Sequence, residues 1–329
     1  MVYSIENNYD KSIVEKIKDE FHKYYNSKNE SYYFDFPLTC EWGESAKKLR
    51  YVKQIRRYVI FKDNNPVGLF QGIVKDKYFI KFLSAGSNSG NGLIIHPDYY
   101  NLFDFFLNNI MRENNLNFNI FTNYKVNFKN INLKENYTYY INLSNDIEYI
   151  TDNMHKSMRK SIKNAEKNNV IIEINTDKLN IKKAYNVIEE CSKERRYDVP
   201  GLEWWEHLYE EFINTGQIVS AIAYYKSNPI SAYLFIGYDK KINAFSSGSL
   251  PEGYRLRANH LLNFKIIEWA KREKYELLDM GGTNPYDEKI HSIDHFKADF
   301  GGVLKINYIL EKQSFYFPLV LRIKNVLNL

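Results

Sequence analysis

The chain has 329 residues, 44% of them hydrophobic and 16% aromatic, so it is long enough to bury a substantial core and to form two domains of ordinary size. Its net charge of +5 is mild and is compatible with RNA, an acidic lipid surface or a phosphorylated small molecule without requiring any of them. Its only cysteines, Cys40 and Cys191, exclude a disulfide scaffold and a zinc-binding cysteine pattern.

The sequence shows no targeting or membrane-spanning pattern. The N-terminal residues carry charges in a helical pattern, without the apolar run of a signal peptide. No stretch approaches the ~20 apolar residues that a membrane-spanning helix needs. Together with the two cysteines, these features predict a soluble protein of the reducing cytoplasm.

The first half of the chain predicts helices alternating with groups of strands. An amphipathic helix with Ile13, Ile17 and Phe21 on one face is followed by a hairpin around the turn 63–66. The predicted elements are a helix at 9–25, strands at 58–62, 67–74 and 78–83, a helix at 98–113 and strands at 118–122 and 137–143. The glycine- and serine-rich segment 85–92 lacks the Lys-Ser/Thr ending of a P-loop, which favours a mobile surface loop over a phosphate-binding loop.

A strongly basic helix is predicted at 146–168. Lys156, Arg159, Lys160 and Lys163 lie three or four residues apart, which places them on one face. That face is either a solvated helix side or a platform for a phosphate-bearing substrate or RNA.

A strand at 170–174 and a helix at 179–196 follow. Arg195, at the exit of this helix, either complements the helix dipole or binds a substrate phosphate. Trp204 and Trp205, on the next predicted helix, are typical of core or interface positions.

The three strands predicted next, at 218–225, 230–238 and 241–249, repeat a pattern of the first half. Residues 58–67 match residues 222–230 in pattern, and the prolines of the two turns, Pro66 and Pro229, lie 163 positions apart, about one domain length. A duplicated mixed α/β unit explains this repeat.

The segment after the third strand predicts an anion-binding helix start. A helix beginning near Leu256 directs its free N–H groups and its positive dipole end toward an anion, with Arg255 and Arg257 beside it. Tyr254 and Asn259 belong to the same segment.

The segment 275–302 contains the predicted active site. A short buried strand at 275–280 breaks at Gly281–Gly282, and the chain returns through Phe296-Lys297 to a second pair of glycines. Asp279 and Lys297 are expected to face each other across this turn. The alternative is an ordinary strand–turn–helix corner with a surface lysine.

Other titratable residues of this segment carry weaker signals. Tyr254 and Tyr286 are candidate proton donors with little support. His291 and His295 flank the lysine segment, but no Ser-His-Asp order and no metal-ligand spacing recommends either, so both are expected to be structural.

The sequences 278-LDMGG-282 and 295-HFKADFGG-302 resemble the signature near the end of the Fem family. These peptidyltransferases are related to the Gcn5-type (GNAT) N-acyltransferases and include enzymes that add bridge amino acids to peptidoglycan precursors. The resemblance implies a mixed α/β fold of two tandem GNAT-like domains, each a mixed, mostly antiparallel sheet flanked by helices. We predict the domains at 1–145 and 146–329, with both motifs in the second.

The resemblance also implies roles for individual residues. Lys297, the lysine of the Phe-Lys motif, is expected in the active site, where it stabilises an oxyanion or a phosphate, and Asp279 either accepts the proton of the amine or orders the glycine turn. A basic helix and an arginine near the position of Arg195 occur in Fem-like relatives. The residues expected to bind substrate are Lys156, Arg159, Arg195, Tyr254, Arg255, Arg257, Asn259, Gly281, Gly282 and Phe296.

The expected function is a Fem-like N-acyltransferase without a metal or a tightly bound cofactor. It moves an aminoacyl group from aminoacyl-tRNA to an amine of a nucleotide- or lipid-linked cell-envelope precursor such as one of peptidoglycan. The chain lacks the Gln/Arg-x-x-Gly-x-Gly/Ala loop of coenzyme A-dependent GNAT enzymes, and it also lacks the long charged helical hairpin that serves some Fem-like enzymes as a tRNA-binding arm.

Two alternatives remain open at this point. One is an acyl-CoA-dependent N-acyltransferase acting on an amino sugar or peptide amine, and the other is a non-catalytic RNA- or envelope-binding module. The apolar segment 315–329 is expected either to pack on the body or to contact a membrane surface transiently.

Overall fold

The computed structural model describes residues 3–77, 80–88, 90–111 and 117–313. The described residues form two compact units, one of those up to Asn136 together with 306–313, and one of Tyr137–Lys305. Both signature motifs lie in the second unit. The division therefore falls nine residues before the predicted boundary at 145/146, and the described residues from 306 onward group with the first unit instead of the second.

The first part of the chain alternates strands and helices. Its elements are β1 (Tyr3–Asn7), α1 (Lys11–Asn26), α2 (Cys40–Lys47), β2 (Val52–Lys62), β3 (Asn65–Lys77), β4 (Ile80–Ser87), β5 (Gly90–Asn91), β6 (Leu93–Ile95), α3 (Leu102–Met111), β7 (Asn117–Thr122) and β8 (Asn132–Asn142).

The second part is richer in helices. Its elements are α4 (Ile147–Asn153), α5 (Lys156–Lys167), β9 (Ile171–Asn175), α6 (Lys178–Arg195), α7 (Leu202–Phe212), β10 (Gln217–Tyr225), β11 (Asn228–Tyr238), β12 (Lys241–Ser249), α8 (Pro251–Arg255), α9 (Ala258–Arg272), β13 (Leu277–Thr283), α10 (His291–Asp299) and β14 (Val303–Lys312).

The first unit is a mixed sheet with helices packed against it. Its strand order is β1-β2-β3-β4-β7-β14, and within this order only β4 and β7 run parallel. Phe70, Phe106 and Phe118 lie at the centre of its core and are fully buried. The helix α1 starts at Lys11 because the side chain of Asp10 accepts a hydrogen bond from the amide of Ile13.

The second unit repeats this arrangement. Its strand order is β8-β13-β12-β11-β10-β9, and only β12 and β13 run parallel. One face of the sheet packs on α5 and α9 in a core that includes Phe235, Ile266 and Phe300. Each unit is therefore a mixed, mostly antiparallel sheet flanked by helices, as predicted.

The duplicated hairpin is present in both units with the same geometry. Asp63–Asn64 and Lys226–Ser227 form two-residue turns whose four φ angles are all positive, between 47° and 66°. Each turn is preceded by an irregularity in the strand register, at Ile60/Phe61 and at Ala223/Tyr224. Turns with two positive φ angles match the right-handed twist of the paired strands, which explains why both copies use them.

One predicted loop differs from the structure. The segment 85–92 is not a mobile loop in its described part, because β4 continues to Ser87 and pairs with β5. A Cβ atom on Gly92 would lie 2.2 Å from the carbonyl carbon of Ala85, so glycine is needed there for close strand approach. Ser89, residues 78–79 of the predicted third strand, 112–113 of the predicted helix, and the segment 315–329 lie outside the described residues.

The basic helix predicted at 146–168 is broken into α4 and α5. Met154 has an extended backbone and a buried side chain, and His155 caps α5 through its Nδ1 atom. The amide of His155 donates to the carbonyl of Asp299 at 2.8 Å, a contact that a continuous helix would not allow.

No helix in the described ranges is long and apolar enough to cross a membrane.

Candidate active site

The strands β12 and β13 separate where the predicted active site begins. Their parallel pairing covers only three residue pairs and ends at Asn243 and Asp279. Beyond this point β12 continues along β11 to Ser249, whereas β13 continues along β8 to Thr283. Asp279 therefore lies at the point where the two strands diverge.

A bulge at Gly281 follows this point directly. The register between β13 and β8 shifts between Asp279 and Gly282, and Gly281 has a φ of +80°, a conformation that glycine adopts without strain. The prediction that the strand ends at Met280 is wrong, because the bulge lets β13 continue through both glycines to Thr283.

The carboxylate of Asp279 holds this bulge in place from inside the protein. The side chain is 1% exposed. Its Oδ1 accepts hydrogen bonds from the hydroxyl of Thr138 at 2.5 Å and from the amide of Gly281 at 2.8 Å. Its Oδ2 has no hydrogen-bond partner among the described residues. Burial raises the pKa of Asp279, and the charge of Lys241 together with these hydrogen bonds opposes that rise.

The ammonium of Lys297 is directed at the same glycine pair and not into bulk water. Its Nζ donates to the carbonyl of Gly281 at 2.8 Å and to that of Gly282 at 2.6 Å. Burial lowers the pKa of Lys297 to about 8, although the charges of Asp279 and Asp294 oppose this effect. Gly281 thus links the two predicted catalytic residues, since its N–H binds Asp279 and its carbonyl binds Lys297.

Further contacts fix α10, the helix that carries Lys297. The hydroxyl of Thr283 donates to the buried carboxylate of Asp294 at 3.0 Å. The ring of Phe296 contacts the rings of His260 and Phe300, each with a centroid distance of 5.2 Å. The bond from Thr283 connects α10 to the strand that carries the glycine pair, and the contact with His260 connects α10 to α9.

Sequence reasoning missed Thr138 and Asp294. Thr138 lies in a run of tyrosines 141 positions before Asp279, and no local pattern marks it as a partner. Asp294 precedes Lys297 by three residues, which places both side chains on one side of α10, and this spacing was an available signal.

A second group of predicted residues surrounds Tyr254. The guanidinium of Arg195 lies over the Tyr254 ring, 4.4 Å from its centroid, and the hydroxyl of Tyr197 donates to the carbonyl of Ser247 at 3.0 Å. Burial raises the pKa of Tyr197 and that of Tyr254. Arg195 and Tyr254, predicted independently as substrate-binding residues, are therefore neighbours.

The predicted helix start near Leu256 is replaced by two helices. The helix α8 ends at Arg255, Arg257 adopts a left-handed conformation with φ of 60°, and α9 begins at Ala258. Burial and the charge of Arg257 lower the pKa of His260 to about 4. Because the His260 ring contacts Phe296, the first turn of α9 is in contact with the helix of Lys297.

Several other predicted residues make local contacts. Arg255 forms an ion pair with Glu252 at 2.8 Å, and the side chain of Asn259 accepts a hydrogen bond from the hydroxyl of Ser231. Arg159 donates to the carbonyls of Thr151 and Asp152.

The remaining candidates lie on the surface or in the core. Lys156 is exposed on α5. Tyr286 is 80% exposed and contacts Tyr137. The tryptophans at 204 and 205 are buried, as expected.

His291 and His295 form a pair with their Nε2 atoms 2.7 Å apart on the exposed side of α10. Within the described ranges, no group of three or more histidine, cysteine, aspartate or glutamate side chains is arranged to hold a metal ion.

Most residues of this site lie in a segment that is similar to an acetyltransferase domain. Residues 152–297, which end at Lys297, match the acetyltransferase (GNAT) domain model. No curated protein matches the sequence.

Several solved structures share the fold of nearly the whole chain. The structure of FemX has a TM-score of 0.66 at 13% identity and covers 96% of this chain and 100% of its own. The C-terminal domain of a putative lysylphosphatidylglycerol synthetase from Agrobacterium fabrum has a TM-score of 0.58 at 10% identity, with 96% of each chain covered. A tandem GNAT protein from the clavulanic acid biosynthesis pathway has a TM-score of 0.55 at 8% identity and covers 94% of this chain and 98% of its own.

These matches confirm the tandem GNAT fold and, at the level of the fold, the resemblance to the Fem family. With the domain match, they also confirm the predicted enzyme class, an acyltransferase.

Proposed function

We propose that this protein is a Fem-like N-acyltransferase that transfers an aminoacyl group from aminoacyl-tRNA to an amine of a cell-envelope precursor, such as one of peptidoglycan. The observation that carries the proposal is the arrangement around Gly281, where a buried carboxylate binds the N–H and an inward-directed ammonium binds the carbonyl of the same residue. This arrangement lies at the divergence of β12 and β13 within the acetyltransferase domain.

In this proposal the amine attacks the carbonyl carbon of the aminoacyl ester. A C–N bond forms as the negative charge develops on the carbonyl oxygen, and the amine loses a proton. The ester C–O bond then breaks, and the ribose oxygen of the tRNA takes up a proton and leaves as a hydroxyl group. Lys297 has three N–H donors, of which two bind the carbonyls of Gly281 and Gly282. The third supplies a positively charged donor for the developing oxyanion, and the two bonded carbonyls hold it in position.

Asp279 is the candidate acceptor for the proton of the amine. Its Oδ1 is used by Thr138 and Gly281, whereas its Oδ2 has no partner within the described part of the chain. Burial raises its pKa, which makes the carboxylate a better base than an exposed aspartate. The structural alternative, in which Asp279 only orders the glycine bulge, uses the same Oδ1 contacts, and the two roles are separated by substitution below.

The residues around Tyr254 are the proposed site for phosphates of the donor. Arg195 is an exposed cation stacked on Tyr254, and Arg257 precedes the first turn of α9, whose N–H groups favour an anion. The His260–Phe296 contact connects this region to α10. Phosphates of the 3′ end of a tRNA bound here would bring its ester toward Lys297.

An acyl-CoA donor is the second candidate, with an amino sugar or peptide amine as acceptor. It is favoured by the match to an acetyltransferase domain and by the likeness to a tandem GNAT protein described in relation to acetyl-CoA. The absence of the family's glycine-rich pyrophosphate loop at 250–257 favours the tRNA donor instead.

We place the reaction in the cytoplasm, where aminoacyl-tRNA and nucleotide-linked precursors are both present. The two cysteines, Cys40 and Cys191, are free thiols and both are buried, which fits a reducing compartment.

The donor is tested by mass spectrometry of the product. The enzyme is incubated with a peptidoglycan precursor peptide and either a mixture of charged tRNAs or acetyl-CoA. The proposal predicts an amide product whose mass increases by one aminoacyl residue, formed only with charged tRNA and abolished by ribonuclease. An acetylated product formed with acetyl-CoA alone would contradict the tRNA donor, and no product with either donor would favour a binding module.

A further inference from the structure

The helix α5 carries a straight stripe of lysines on its solvent side. Lys156, Lys160, Lys163 and Lys167 are all exposed, and at ~100° per residue they fall within a sector of about 60°. The buried residues Met158, Ile162 and Ala165 lie on the opposite side of the helix and pack into the core of the second unit. The lysine stripe therefore faces directly away from the protein and extends for about 16 Å along the helix.

Nothing in the described part of the chain neutralises these charges. None of the four lysines forms an ion pair there, whereas other exposed lysines, such as Lys193 and Lys240, form ion pairs with nearby acids. Arg159, the fifth cation of α5, is bound to the carbonyls of Thr151 and Asp152 and lies beside the stripe. Glu166 is the single acidic residue of α5, and it also lies at the side.

A cluster of this kind is typical of surfaces that bind anionic lipid. Four basic side chains on one face of an amphipathic helix are attracted by the negative surface potential of anionic headgroups.

We propose that this lysine stripe of α5 binds an anionic lipid bilayer. Lipid phosphates attract clustered lysines without requiring a fixed geometry. RNA fits this surface less well, because sequence-tolerant RNA binding relies on stacking aromatic rings and arginines. The stripe contains neither, since its cations are all lysines and Arg159 is engaged elsewhere.

The lipid-binding surface is connected to the candidate active site. The amide of His155 donates to the carbonyl of Asp299, and the hydroxyl of Ser157 donates to its carboxylate at 3.2 Å. Asp299 ends α10, two residues after Lys297. Binding of α5 to a bilayer therefore positions the helix of Lys297 near the membrane surface, where a lipid-linked acceptor is presented. This consequence rests on the proposed function, whereas lipid binding itself does not.

The test is sedimentation of the full chain with vesicles, without donor or acceptor. The vesicles contain either phosphatidylcholine alone or phosphatidylcholine with phosphatidylglycerol. The wild type is expected to sediment only with the anionic vesicles and to be released by high salt. Lys160→Glu with Lys163→Glu is expected to weaken this binding at least about tenfold.

The matched control is Lys125→Glu with Lys129→Glu, which changes the net charge equally at two exposed lysines of the first unit. It is expected to bind within about threefold of the wild type. Thermal melts establish that both doubly substituted proteins are folded.

Three results would overturn the proposal. The first is failure of the wild type to bind anionic vesicles, and the second is an equal loss of vesicle binding in both doubly substituted proteins. The third is that Lys160→Glu with Lys163→Glu lowers the affinity for uncharged tRNA while vesicle binding is unchanged. Because the vesicle experiment contains no donor or acceptor, a failure to bind lipid would not count against the proposed transfer reaction. Conversely, a protein that binds vesicles but has no transfer activity would support lipid binding and contradict the proposed function.

Discussion

Gly281 is the residue on which the candidate active site depends. Its positive φ places its N–H toward Asp279 and its carbonyl toward Lys297, so a single peptide group holds both charged side chains in position. Any other residue at this conformation would be strained, and a flexible chain here would release the ammonium to solvent.

The lowered pKa of Lys297 makes the reaction sensitive to pH. If its charge stabilises the oxyanion, kcat/KM should fall above pH 8, because the pKa of Lys297 is about 8 and not the ordinary 10.5. The measurement is a pH–rate profile with an acceptor whose own amine titration is known. In Lys297→Arg, whose guanidinium stays charged, the alkaline fall should disappear at a lower overall rate. A wild-type profile without an alkaline fall below pH 10 would argue against a catalytic charge on Lys297.

The same shift predicts how stability changes with pH. The folded-state pKa lies below the unfolded-state value, so between pH 8 and 10.5 the unfolded chain binds the proton that the folded chain has lost. The free energy of unfolding of the wild type relative to Lys297→Met should therefore rise over this range. Urea unfolding at a series of pH values measures the difference, and a fall with pH would contradict the assigned shift.

Asp279→Asn separates the catalytic role of Asp279 from its structural role. Asparagine keeps an Oδ1 that accepts from Thr138 and Gly281, but it removes the negative charge that Lys241 and Lys297 attract in the interior, so the melting temperature should fall, though by less than in Asp279→Ala. If Asp279 accepts the proton of the amine, the rate should fall by about 10²- to 10⁴-fold. Asp279→Ala is the comparison, since it removes the acceptor of both donors and should lower stability by about 1–3 kcal/mol. Full activity of Asp279→Asn would leave only the structural role.

At the scale of elements, the two hairpins show what a short repeat reveals. The spacing of Pro66 and Pro229 predicts that two segments fold alike, and the structure shows the same turn type and the same register irregularity in both. The first turn uses Asp63 and Asn64, which tolerate positive φ, whereas the second uses Lys226 and Ser227, which do so less readily.

This difference predicts that Ser227→Gly stabilises the protein. Ser227 has a φ of 66°, so glycine should relieve strain and raise the free energy of unfolding by about 1 kcal/mol. Asn64→Gly is the control, with a smaller expected gain because asparagine already favours this conformation. Denaturant unfolding measures both. A loss of stability in Ser227→Gly would show that backbone strain at Ser227 does not lower the free energy of unfolding.

Local patterns predicted which elements form but not how their side chains pair. The pair of glycines and the Phe-Lys motif mark the site because their chemistry is visible over a few residues. The bulge that carries Gly281 depends on pairing with β8, and Thr138 reaches Asp279 across 141 positions, so neither follows from local sequence. Likewise, Arg255 and Arg159 look like substrate cations in sequence, but each makes contacts in its own helical neighbourhood, which only the fold determines.

At the scale of the whole molecule, the fold and the enzyme class were predictable, because a motif and a repeat point to the same tandem GNAT architecture. The domain limits were less predictable, since residues 306–313 return to the first unit after the second is complete. Donor and acceptor follow from neither composition nor fold, because related folds serve different reactions. The mild net charge of +5 also hides a local concentration of lysines on α5.

The central claim is that acyl transfer takes place beside the ammonium of Lys297. The most direct measurement is the initial rate of amide formation by Lys297→Met, with the donor that the wild type uses, compared with Lys289→Met as a control at an exposed lysine of the preceding turn. We predict that Lys297→Met loses about 10²- to 10³-fold in kcat while remaining folded, and that Lys289→Met stays within about twofold of the wild type. Equal rates for the two substituted enzymes would contradict the account.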